Sequence, residues 1–460
     1  MIYDDTIVAI ATPPGEGGIG VVRLSGPLAP TILACIFRAA RPGALRSHHL
    51  RYGHIIDPTD HSVVDEALAT LMRAPRSFTR EDVVELSCHG GPLPLQRTLD
   101  VALAQGARLA QPGEFTLRAF ANGRLDLSQA EATLDIIRAQ TDAGLALAQS
   151  QLGGWLAREV RRVRAALLGP LAYFTVLVDF PEDEVEPQQT HADLCDQLAA
   201  VERLLADASQ GQIYRQGARA VLVGRPNVGK SSLLNALLRA DRAIVTPIAG
   251  TTRDTLEETA NLAGIPVVLI DTAGITASDD PVERLGIARS RSALAAADLA
   301  LLVLDASRPL DSDDAAMIAL TADKPTLVVW NKCDQASVTL ADLVAQRPHK
   351  RVAAGVATSA LTGDGLAGLA TVIAQTLLGK SSLRVPTSGA QLVSNPRHRA
   401  ALERAAQHLR HVVEGEVSGV PTDLLTVDLT AALNALGEIT GESVDEDLLT
   451  AIFSRFCIGK

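Results

Sequence analysis

The 460-residue chain has little of what several classes of protein require. Aromatic residues make up only 3%, too few for the base-stacking platforms of proteins that bind single-stranded nucleic acid. The net charge of -11 argues against a protein that wraps nucleic acid by bulk electrostatic attraction. No apolar run approaches the ~20 residues of a membrane-spanning helix, so we expect no membrane partner.

Cysteine is also scarce, and its spacing matches neither a zinc site nor a disulfide framework. The five residues are odd in number and none lies in a C-x-x-C pattern: Cys35, Cys88, Cys195, Cys333 and Cys457. Such a set is typical of reduced thiols in a cytosolic protein. The stretch Met1–Asp5 lacks the basic start of a signal peptide, so we expect a cytoplasmic protein.

What the chain does contain is a glycine loop with the spacing of a phosphate site. Residues 224–231 read Gly-Arg-Pro-Asn-Val-Gly-Lys-Ser, which matches the P-loop pattern G-x-x-x-x-G-K-[ST]. An apolar run, Ala220–Val223, precedes the loop and an amphipathic run, Ser232–Leu238, follows it, which predicts strand, loop and helix. Lys230 is predicted to reach the β- and γ-phosphates and Ser231 to ligate Mg²⁺. A chance glycine turn before a helix is the alternative for the bare motif.

A second motif follows the apolar run Val267–Ile270, which we expect to be a buried parallel strand. It reads Asp271-Thr272-Ala273-Gly274. Asp271 is predicted to hold Mg²⁺ through water, and the Gly274 N–H to meet the γ-phosphate. The order of the two motifs is the order that a GTPase requires.

A third motif, Asn331-Lys332-Cys333-Asp334, follows the predicted strand Thr326–Trp330 and selects the base. The Asp334 carboxylate can accept two hydrogen bonds from guanine, whereas adenine offers no such donor pair and leaves the carboxylate unpaired. Ser359 and Ala360, after a further predicted strand, are expected to back the guanine ring. Residues 213–381 are therefore predicted to form a GTP-binding α/β domain with a mostly parallel sheet.

The rest of the chain predicts two further kinds of structure. Residues 1–120 carry alternating strand patterns and predict an α+β domain. Residues 121–212 and 382–460 carry helical patterns on both sides of the GTP-binding domain. The economical architecture is one helical bundle with the GTPase domain inserted into it, so the fold class is a multidomain combination of α+β and α/β.

Three further segments carry a resemblance to a known family, and the second and third are far more specific than the first. They are Gly250-Thr251-Thr252-Arg253-Asp254, the run Arg124–Ala132, and the tetrad Cys457-Ile458-Gly459-Lys460. Together with the P-loop they closely resemble the MnmE (TrmE) family of tRNA-modification GTPases. The resemblance covers essentially the whole chain.

The resemblance implies a fold, partners and a second ligand. Family members are homodimers built through the N-terminal domain, and they act with the flavin protein MnmG at C5 of the tRNA wobble uridine (U34). The product carries a carboxymethylaminomethyl or aminomethyl group. The N-terminal domain resembles folate-binding aminomethyltransferases and holds 5-formyltetrahydrofolate. The matching folate positions are Arg23, Glu81, Arg124 (Lys in a family member) and Lys460.

The resemblance also completes the predicted GTPase site. Ile275 follows Gly274 where Ras-like enzymes have a water-orienting Gln, and no arginine finger is evident. Family members place K⁺ there, and the matching positions are Asn227, Thr246, Ile248 and Thr251. Thr252 joins Ser231 as an Mg²⁺ ligand, and Glu283 orients the attacking water.

Motifs and resemblance together assign the GTP site to Asn227, Val228, Gly229, Lys230, Ser231, Ser232, Thr246, Thr251, Thr252, Asp271, Thr272, Ala273, Gly274, Asn331, Lys332, Asp334, Ser359 and Ala360. The candidate catalytic residues are Glu283, Lys230 and Cys457. Without the family, a plain surface acid is the better interpretation of Glu283. Cys457 is either a nucleophile near a one-carbon donor or a structural thiol.

Two other functions stay open from the residues alone. A ribosome-assembly GTPase that binds rRNA shares the P-loop and the Gly-Thr-Thr-Arg-Asp motif. It should carry a KH-like domain after the GTPase domain, yet the segment after Lys380 is helical and lacks a strongly basic run. A folate-type metabolic enzyme with a regulatory GTPase domain is the weaker alternative.

Overall fold

The computed structural model describes residues 4–180, 186–240, 257–271, 292–336, 352–379 and 385–460. The chain divides into two compact units, each assembled from separate segments. Unit 1 comprises Met1–Leu134, Ala157–Arg161 and Asn434–Lys460, and unit 2 comprises Asp135–Leu156 and Arg162–Leu433. The division into three predicted domains is a finer one and stays a prediction.

Unit 1 is built on a seven-stranded sheet with the order β3-β4-β5-β6-β2-β1-β7. Its strands are β1 (Ile7–Ile10), β2 (Gly17–Ser25), β3 (Phe37–Ala39), β4 (Leu50–Ile56), β5 (Val63–Met72), β6 (Val83–Gly90) and β7 (Arg108–Leu109). Neighbouring strands are antiparallel except for the parallel pair β1 and β7. The predicted α+β character of this part of the chain is confirmed.

Buried and less buried residues alternate along β2, which shows which of its side chains face the apolar core. Val22 and Leu24 are fully buried, whereas Arg23 between them is only half-buried. Successive strand side chains point to opposite faces, so Arg23 lies on the face opposite the apolar core. The guanidinium carbon of Arg23 lies 5.7 Å from the centre of the Phe115 ring on that face.

Besides short stretches of two longer helices, Ala157–Arg161 and 434–440, unit 1 contains five helices in whole or in part. They are α1 (Ala29–Ile36), α2 (Pro92–Ala104), α3 (Glu114–Ala121), α4 (Leu127–Arg138), whose first part belongs to unit 1, and α14 (Glu446–Phe453). Helices α4 and α14 share an apolar cluster that includes Leu127, Leu134, Ile452 and Phe453. The late segment of the chain therefore packs with the early one inside unit 1.

Unit 2 contains a six-stranded sheet with the order β13-β12-β11-β8-β10-β9. Its strands are β8 (Ala218–Val223), β9 (Glu257–Leu262), β10 (Ile265–Asp271), β11 (Leu299–Asp305), β12 (Thr326–Asn331) and β13 (Val352–Ala357). All neighbours are parallel except β9 and β10. The predicted mostly parallel sheet is confirmed, and the continuous apolar runs are explained by cores on both faces.

The remaining helices are α5 (Asp142–Leu152), α6 (Trp155–Asp179), α7 (Thr190–Leu205), α8 (Ala208–Gln216), α9 (Lys230–Ala240), α10 (Ser312–Leu320), α11 (Leu366–Leu378), α12 (Pro396–Ser418) and α13 (Thr422–Thr440). Helix α12 starts where the Asn395 side chain accepts a hydrogen bond from the Arg397 N–H, and it ends at Gly419 with φ 72°. Within the described ranges, no helix has the length and apolarity needed to span a membrane.

Candidate functional site

The P-loop lies between β8 and α9, and two of its residues have left-handed backbone. Asn227 has φ 63° and Gly229 has φ 94°. A Cβ atom on Gly229 would lie 2.4 Å from Asn331 Nδ2, and one on Gly224 would lie 2.4 Å from the Val303 carbonyl oxygen. Both positions therefore require glycine, because a side chain would collide with fixed neighbours.

Lys230 begins α9 and turns its ammonium group back across the loop. Its Nζ donates hydrogen bonds to the carbonyl oxygens of Gly224 at 2.9 Å and Arg225 at 2.8 Å. Burial lowers the pKa of Lys230, and the Asp271 carboxylate opposes that shift. The loop thus holds a cation beside backbone N–H groups at a helix N-terminus, the arrangement that binds phosphate.

Ser231 and Asp271 meet at the same edge of the sheet. Asp271 ends β10, which runs parallel to β8, and the Ser231 Oγ donates to Asp271 Oδ2 at 2.6 Å. Asp271 Oδ1 is buried and has no hydrogen-bond partner among the residues that the structure describes. A hydroxyl and a carboxylate oxygen side by side are the hard ligands that Mg²⁺ takes, so these residues fit that ion.

Asn331 joins the P-loop to the loop after β13. Its side chain is 2% exposed, its Nδ2 donates to the Val228 carbonyl oxygen at 2.9 Å, and its Oδ1 accepts from the Ala360 N–H at 3.1 Å. Since both amide groups are used inside the protein, Asn331 positions the two loops on either side of the base site.

Lys332 and Asp334, two further members of the third motif, carry charge at this edge of the sheet. The Lys332 ammonium forms an ion pair with Asp305 at 2.7 Å. Burial pushes the pKa of Asp305 upward, but hydrogen bonds from Lys332 and Ser307 outweigh it and leave that pKa below its usual range. Asp334 is exposed, and a hydrogen bond from Ser359 is the main cause of its lowered pKa. Asp334 therefore presents an ionised carboxylate to solvent, as guanine recognition requires.

A second cluster of predicted residues forms in unit 1 around Arg23. Its guanidinium donates to Glu85 Oε1 at 2.9 Å and to the Gly459 carbonyl oxygen at 3.1 Å. Burial lowers the pKa of Lys460, and the positive charge of Arg23 lowers it further. The structure thus brings Arg23 and Lys460 close together, although 436 positions separate Arg23 from Gly459.

Glu81 lies near this cluster and is held by polar partners. Its Oε2 accepts from Ser25 Oγ at 2.6 Å and from Arg118 Nη1 at 3.3 Å. Arg118 is fully buried and also forms ion pairs with Asp5 and Glu114. Ser25 lies two residues beyond Arg23 on β2, so Arg23 and Glu81 serve the same face of the sheet.

Arg124 occupies a neighbouring pocket in unit 1. Its guanidinium donates to the Ser77 carbonyl oxygen and lies 5.1 Å from the centre of the Phe78 ring. The open pocket is lined by His48, Met72, Pro75, Arg76, Ser77, Phe78, Arg80 and Arg124. Cys457, the other candidate of this region, is exposed, and its carbonyl oxygen accepts from the Gly113 N–H at 3.3 Å.

The chain matches two family models that together span most of its length. One describes the GTP-binding protein TrmE N-terminus and matches residues 6–124, and the other describes the MnmE helical domain and matches residues 127–457. The chain belongs to the MnmE family of tRNA modification GTPases. It is thus a GTPase that binds GTP, and the predicted family and fold class are confirmed.

Relatives of full length share this family. The chain is 66% identical over 458 residues to the tRNA modification GTPase MnmE of Chloroflexus aurantiacus, covering 99% of this chain and 100% of the relative. It is 60% identical over 466 residues to the protein of that name from Roseiflexus sp. (strain RS-1), covering 100% of both chains. Among solved structures, Aquifex aeolicus Era bound to GDP.AlF4- is 26% identical, covering 42% of this chain and 66% of that chain with a TM-score of 0.29.

Part of the predicted MnmE-type GTP site lies outside the described residues. These positions are Thr246, Ile248, Thr251, Thr252, Thr272, Ala273, Gly274 and Glu283. Of the predicted K⁺ ligands, Asn227 is described and is exposed at the loop. Val228 is buried, and Ser232 is exposed in the first turn of α9. The roles of all these residues stay predictions.

The sequence analysis missed residues that hold the two sites in place. In the GTP site these are Asp305 and Arg225, whose guanidinium pairs with Asp311 and lies 3.1 Å from Asp313. In unit 1 they are Arg118 and Glu85. Asp305 carried a usable signal, because a carboxylate that ends an apolar parallel strand lies at the ligand-binding edge. Arg118 carried only the weak signal of a Glu114–Arg118 pair at helical spacing, since its other partners, Asp5 and Glu81, are distant in sequence.

Proposed function

We propose that this chain hydrolyses GTP to drive the modification of the wobble uridine (U34) of tRNA at C5. It acts with the flavin protein MnmG and adds a carboxymethylaminomethyl or aminomethyl group. The main support is membership of the MnmE family over the whole chain length. A ribosome-assembly GTPase that binds rRNA is the alternative function, and the family match gives it no support.

The residues of the GTP site that the structure describes support the hydrolytic part of this proposal. Lys230 neutralises phosphate charge from within the loop, and the P-loop N–H groups orient the phosphates. Ser231 and Asp271 would hold Mg²⁺, which supplies charge neutralisation at the phosphates. Asp334 selects guanine by accepting two hydrogen bonds, while Asn331 keeps its loop against the P-loop.

Because no arginine finger is evident and Ile275 stands where Ras-like enzymes have Gln, other groups must do two things. They must neutralise the charge of the transition state, and they must orient the attacking water. We assign the first to K⁺, for which Asn227, Thr246, Ile248 and Thr251 would supply oxygen ligands. Asn227 fits this role because its side chain is exposed on the P-loop in left-handed backbone. We assign the orientation of the attacking water to Glu283, and a second Mg²⁺ contact to Thr252.

Arg23, Glu81, Arg124 and Lys460 would bind 5-formyltetrahydrofolate in unit 1. Arg23 pairs with Glu85 and lies close to Lys460, and these two cations would bind a carboxylate of the ligand. Glu81, held by Ser25 and Arg118, fits the N–H groups of the pterin. Cys457 stays a candidate nucleophile near this ligand.

The proposal also covers assembly and location. We propose a homodimer through residues 1–120, with a helical domain formed by residues 121–212 and 382–460 and a GTPase domain over residues 213–381. MnmG and tRNA would be the partners. The cytoplasm, where tRNA is modified, would be the location.

Mass spectrometry of tRNA nucleosides tests the proposed function. A strain that lacks this protein should lose the C5 group on wobble uridines, and the intact chain should restore it. A Lys230→Ala variant should not restore it, since the variant lacks the cation of the phosphate site. Unchanged wobble uridines together with defective ribosome assembly would favour the rRNA-binding alternative.

A further inference from the structure

Two helices bring two histidines and one aspartate of unit 2 together, and none of the three is a residue of the GTP site or of the predicted folate site. His408 and His411 lie on α12, and Asp428 lies on α13. The histidines are three positions apart, so they share one face of α12. The residues 419–421 connect the two helices, and Gly419 has φ 72° at the end of α12.

The three side chains converge on one carboxylate oxygen. His408 Nδ1 lies 2.7 Å from Asp428 Oδ1, and His411 Nδ1 lies 3.8 Å from the same atom. One ligand atom from each residue lies within 4.8 Å of the other two. The side chains of His408, His411 and Asp428 are 33%, 52% and 31% exposed, respectively, so an ion can reach the point where they converge from solvent.

We propose that His408, His411 and Asp428 bind one divalent transition-metal ion of the Zn²⁺ type. Two imidazole nitrogens and one carboxylate oxygen form a three-ligand set that Zn²⁺ takes when water fills its fourth position. With bonds of 2.0–2.2 Å, tetrahedral ligand atoms lie about 3.3 Å apart, and the distances of 2.7 and 3.8 Å lie on either side of this value. Small side-chain rotations would complete the geometry.

A hydrogen bond to Asp428 explains the position of only one of the two histidines. The His408–Asp428 contact has hydrogen-bond length, whereas His411 Nδ1 at 3.8 Å from the oxygen does not. A cation at the centre would use lone pairs of all three residues at once. Imidazole favours Zn²⁺, Ni²⁺ and Cu²⁺ over Mg²⁺ or Ca²⁺, so the ion differs in kind from the Mg²⁺ of the GTP site. Bound there, it would clamp α12 to α13.

Metal titration of the full chain tests this site. The protein is freed of metal with EDTA, loaded with Mg²⁺ and GDP to fill the nucleotide site, and titrated with Co²⁺ as a spectroscopic stand-in for Zn²⁺. We expect one bound equivalent with the visible absorption of a four-coordinate N/O site. Zn²⁺ should displace the Co²⁺ and remove the absorption. Absence of the absorption at all Co²⁺ concentrations would overturn the proposal.

Matched variants locate the ion. Affinity for Co²⁺ should fall at least tenfold in His411→Gln and in Asp428→Asn, because each variant removes one ligand. His89→Gln is the control, since His89 also lies 2.7 Å from an aspartate, Asp65, but joins no three-ligand group among the described residues. Equal affinity in the wild type and in both ligand variants would place the ion elsewhere and refute the site.

A second measurement does not depend on the folding of any variant. Paramagnetic Co²⁺ broadens NMR signals of nearby nuclei, so the imidazole signals of His408 and His411 should broaden at one equivalent. The imidazole signal of His89, which is not a ligand of the proposed ion, should broaden less than those of His408 and His411. Equal broadening of all histidine signals would indicate non-specific binding and contradict the proposal.

Discussion

Asn331 shows how one buried amide organises the nucleotide site at the scale of a residue. Its donor and acceptor are both used by backbone groups of two different loops, at 2.9 and 3.1 Å. The same amide limits the P-loop, because its Nδ2 occupies the space that a Cβ on Gly229 would need. The P-loop and the loop after β13, which are predicted to bind the phosphates and the base, therefore share Asn331 as a structural link.

Replacing Asn331 should therefore weaken both the fold and the site. Asn331→Ala leaves the Val228 carbonyl and the Ala360 N–H without their partner, which costs about 1–3 kcal/mol for buried polar groups. We expect a lower free energy of unfolding in urea and weaker GTP binding by calorimetry. Asn331→Asp keeps the acceptor for Ala360 but turns a buried carboxylate toward the Val228 carbonyl, so it should also lower the free energy of unfolding. Unchanged stability and affinity in Asn331→Ala would refute the positioning role.

Asp334 should decide which purine binds. Asp334→Asn inverts part of the hydrogen-bond pattern, so GTP should bind more weakly and xanthosine triphosphate more tightly. Charged hydrogen bonds worth about 1.5–3 kcal/mol predict a change of roughly tenfold to a hundredfold. Competition titrations with both nucleotides measure it. If GTP affinity is the same in the variant, Asp334 does not contact the base.

At the scale of elements, strand ends and strand faces place the chemistry. The parallel strands β8, β10 and β12 deliver the P-loop, Asp271 and Asn331 to one edge of the sheet. In unit 1 the two-residue alternation along β2 buries Val22 and Leu24 and places Arg23 on the opposite face, beside Glu85 and Gly459. Helix ends follow local signals, and α12 ends at Ser418 because Gly419 takes left-handed backbone.

The pair of neighbouring strands β5 and β6 carries a pH-sensitive contact. Asp65 accepts hydrogen bonds from the His89 N–H at 2.8 Å and from its Nδ1 at 2.7 Å. The hydrogen bond and the charge of Asp65 raise the pKa of His89 above its ordinary value of 6.5. A group with a raised pKa in the folded state stabilises it fully below the unfolded value, and this contribution is lost as the pH rises through the folded pKa.

NMR titration of His89 checks this expectation. The midpoint should lie above 6.5 in the wild type and should fall in Asp65→Asn, which removes the negative charge. The urea stability of the wild type should decline slightly relative to Asp65→Asn as the pH rises through that midpoint. A midpoint that is identical in both proteins would show that Asp65 does not act on His89.

At the scale of the molecule, segments far apart in sequence form a single site within unit 1. Arg23 donates to the carbonyl oxygen of Gly459, and a Cβ on Gly459 would lie 2.6 Å from the Ile10 carbonyl oxygen. Gly459 also has φ 93°, so glycine is required there for two reasons. The tetrad Cys457–Lys460 is thereby held against β1 and β2, with Lys460 beside Arg23.

Removing Cys457–Lys460 should separate the two activities that we propose. The truncated chain should bind 5-formyltetrahydrofolate more weakly and fail in tRNA modification, because Lys460 and the Gly459 contact are lost. GTP hydrolysis should persist, since the described GTP-site residues belong to unit 2. Calorimetric folate titration and a GTPase assay on the same sample measure both. Glu81→Ala is the comparison and should reproduce the folate-binding defect.

If the truncated chain binds folate as tightly as the full chain, the tetrad is not part of the pocket. If folate binding and GTP hydrolysis are both lost, the tetrad is needed for folding. Because Gly459 lies against Ile10 and accepts a hydrogen bond from Arg23, we expect the tetrad to contribute to the pocket. The folate titration of the truncated chain is the measurement that decides this.

Local sequence patterns were enough to predict the phosphate, magnesium and base motifs, whose chemistry depends on short spacing. The P-loop, the strand that ends at Asp271 and the tetrad Asn331–Asp334 are local patterns, since each function rests on adjacent residues with fixed backbone geometry. The contacts that hold side chains of distant segments together became visible in the tertiary structure. Arg118 with Glu81, Arg23 with Gly459, and His408 with Asp428 meet through packing, and no periodicity along the chain encodes contacts between distant segments.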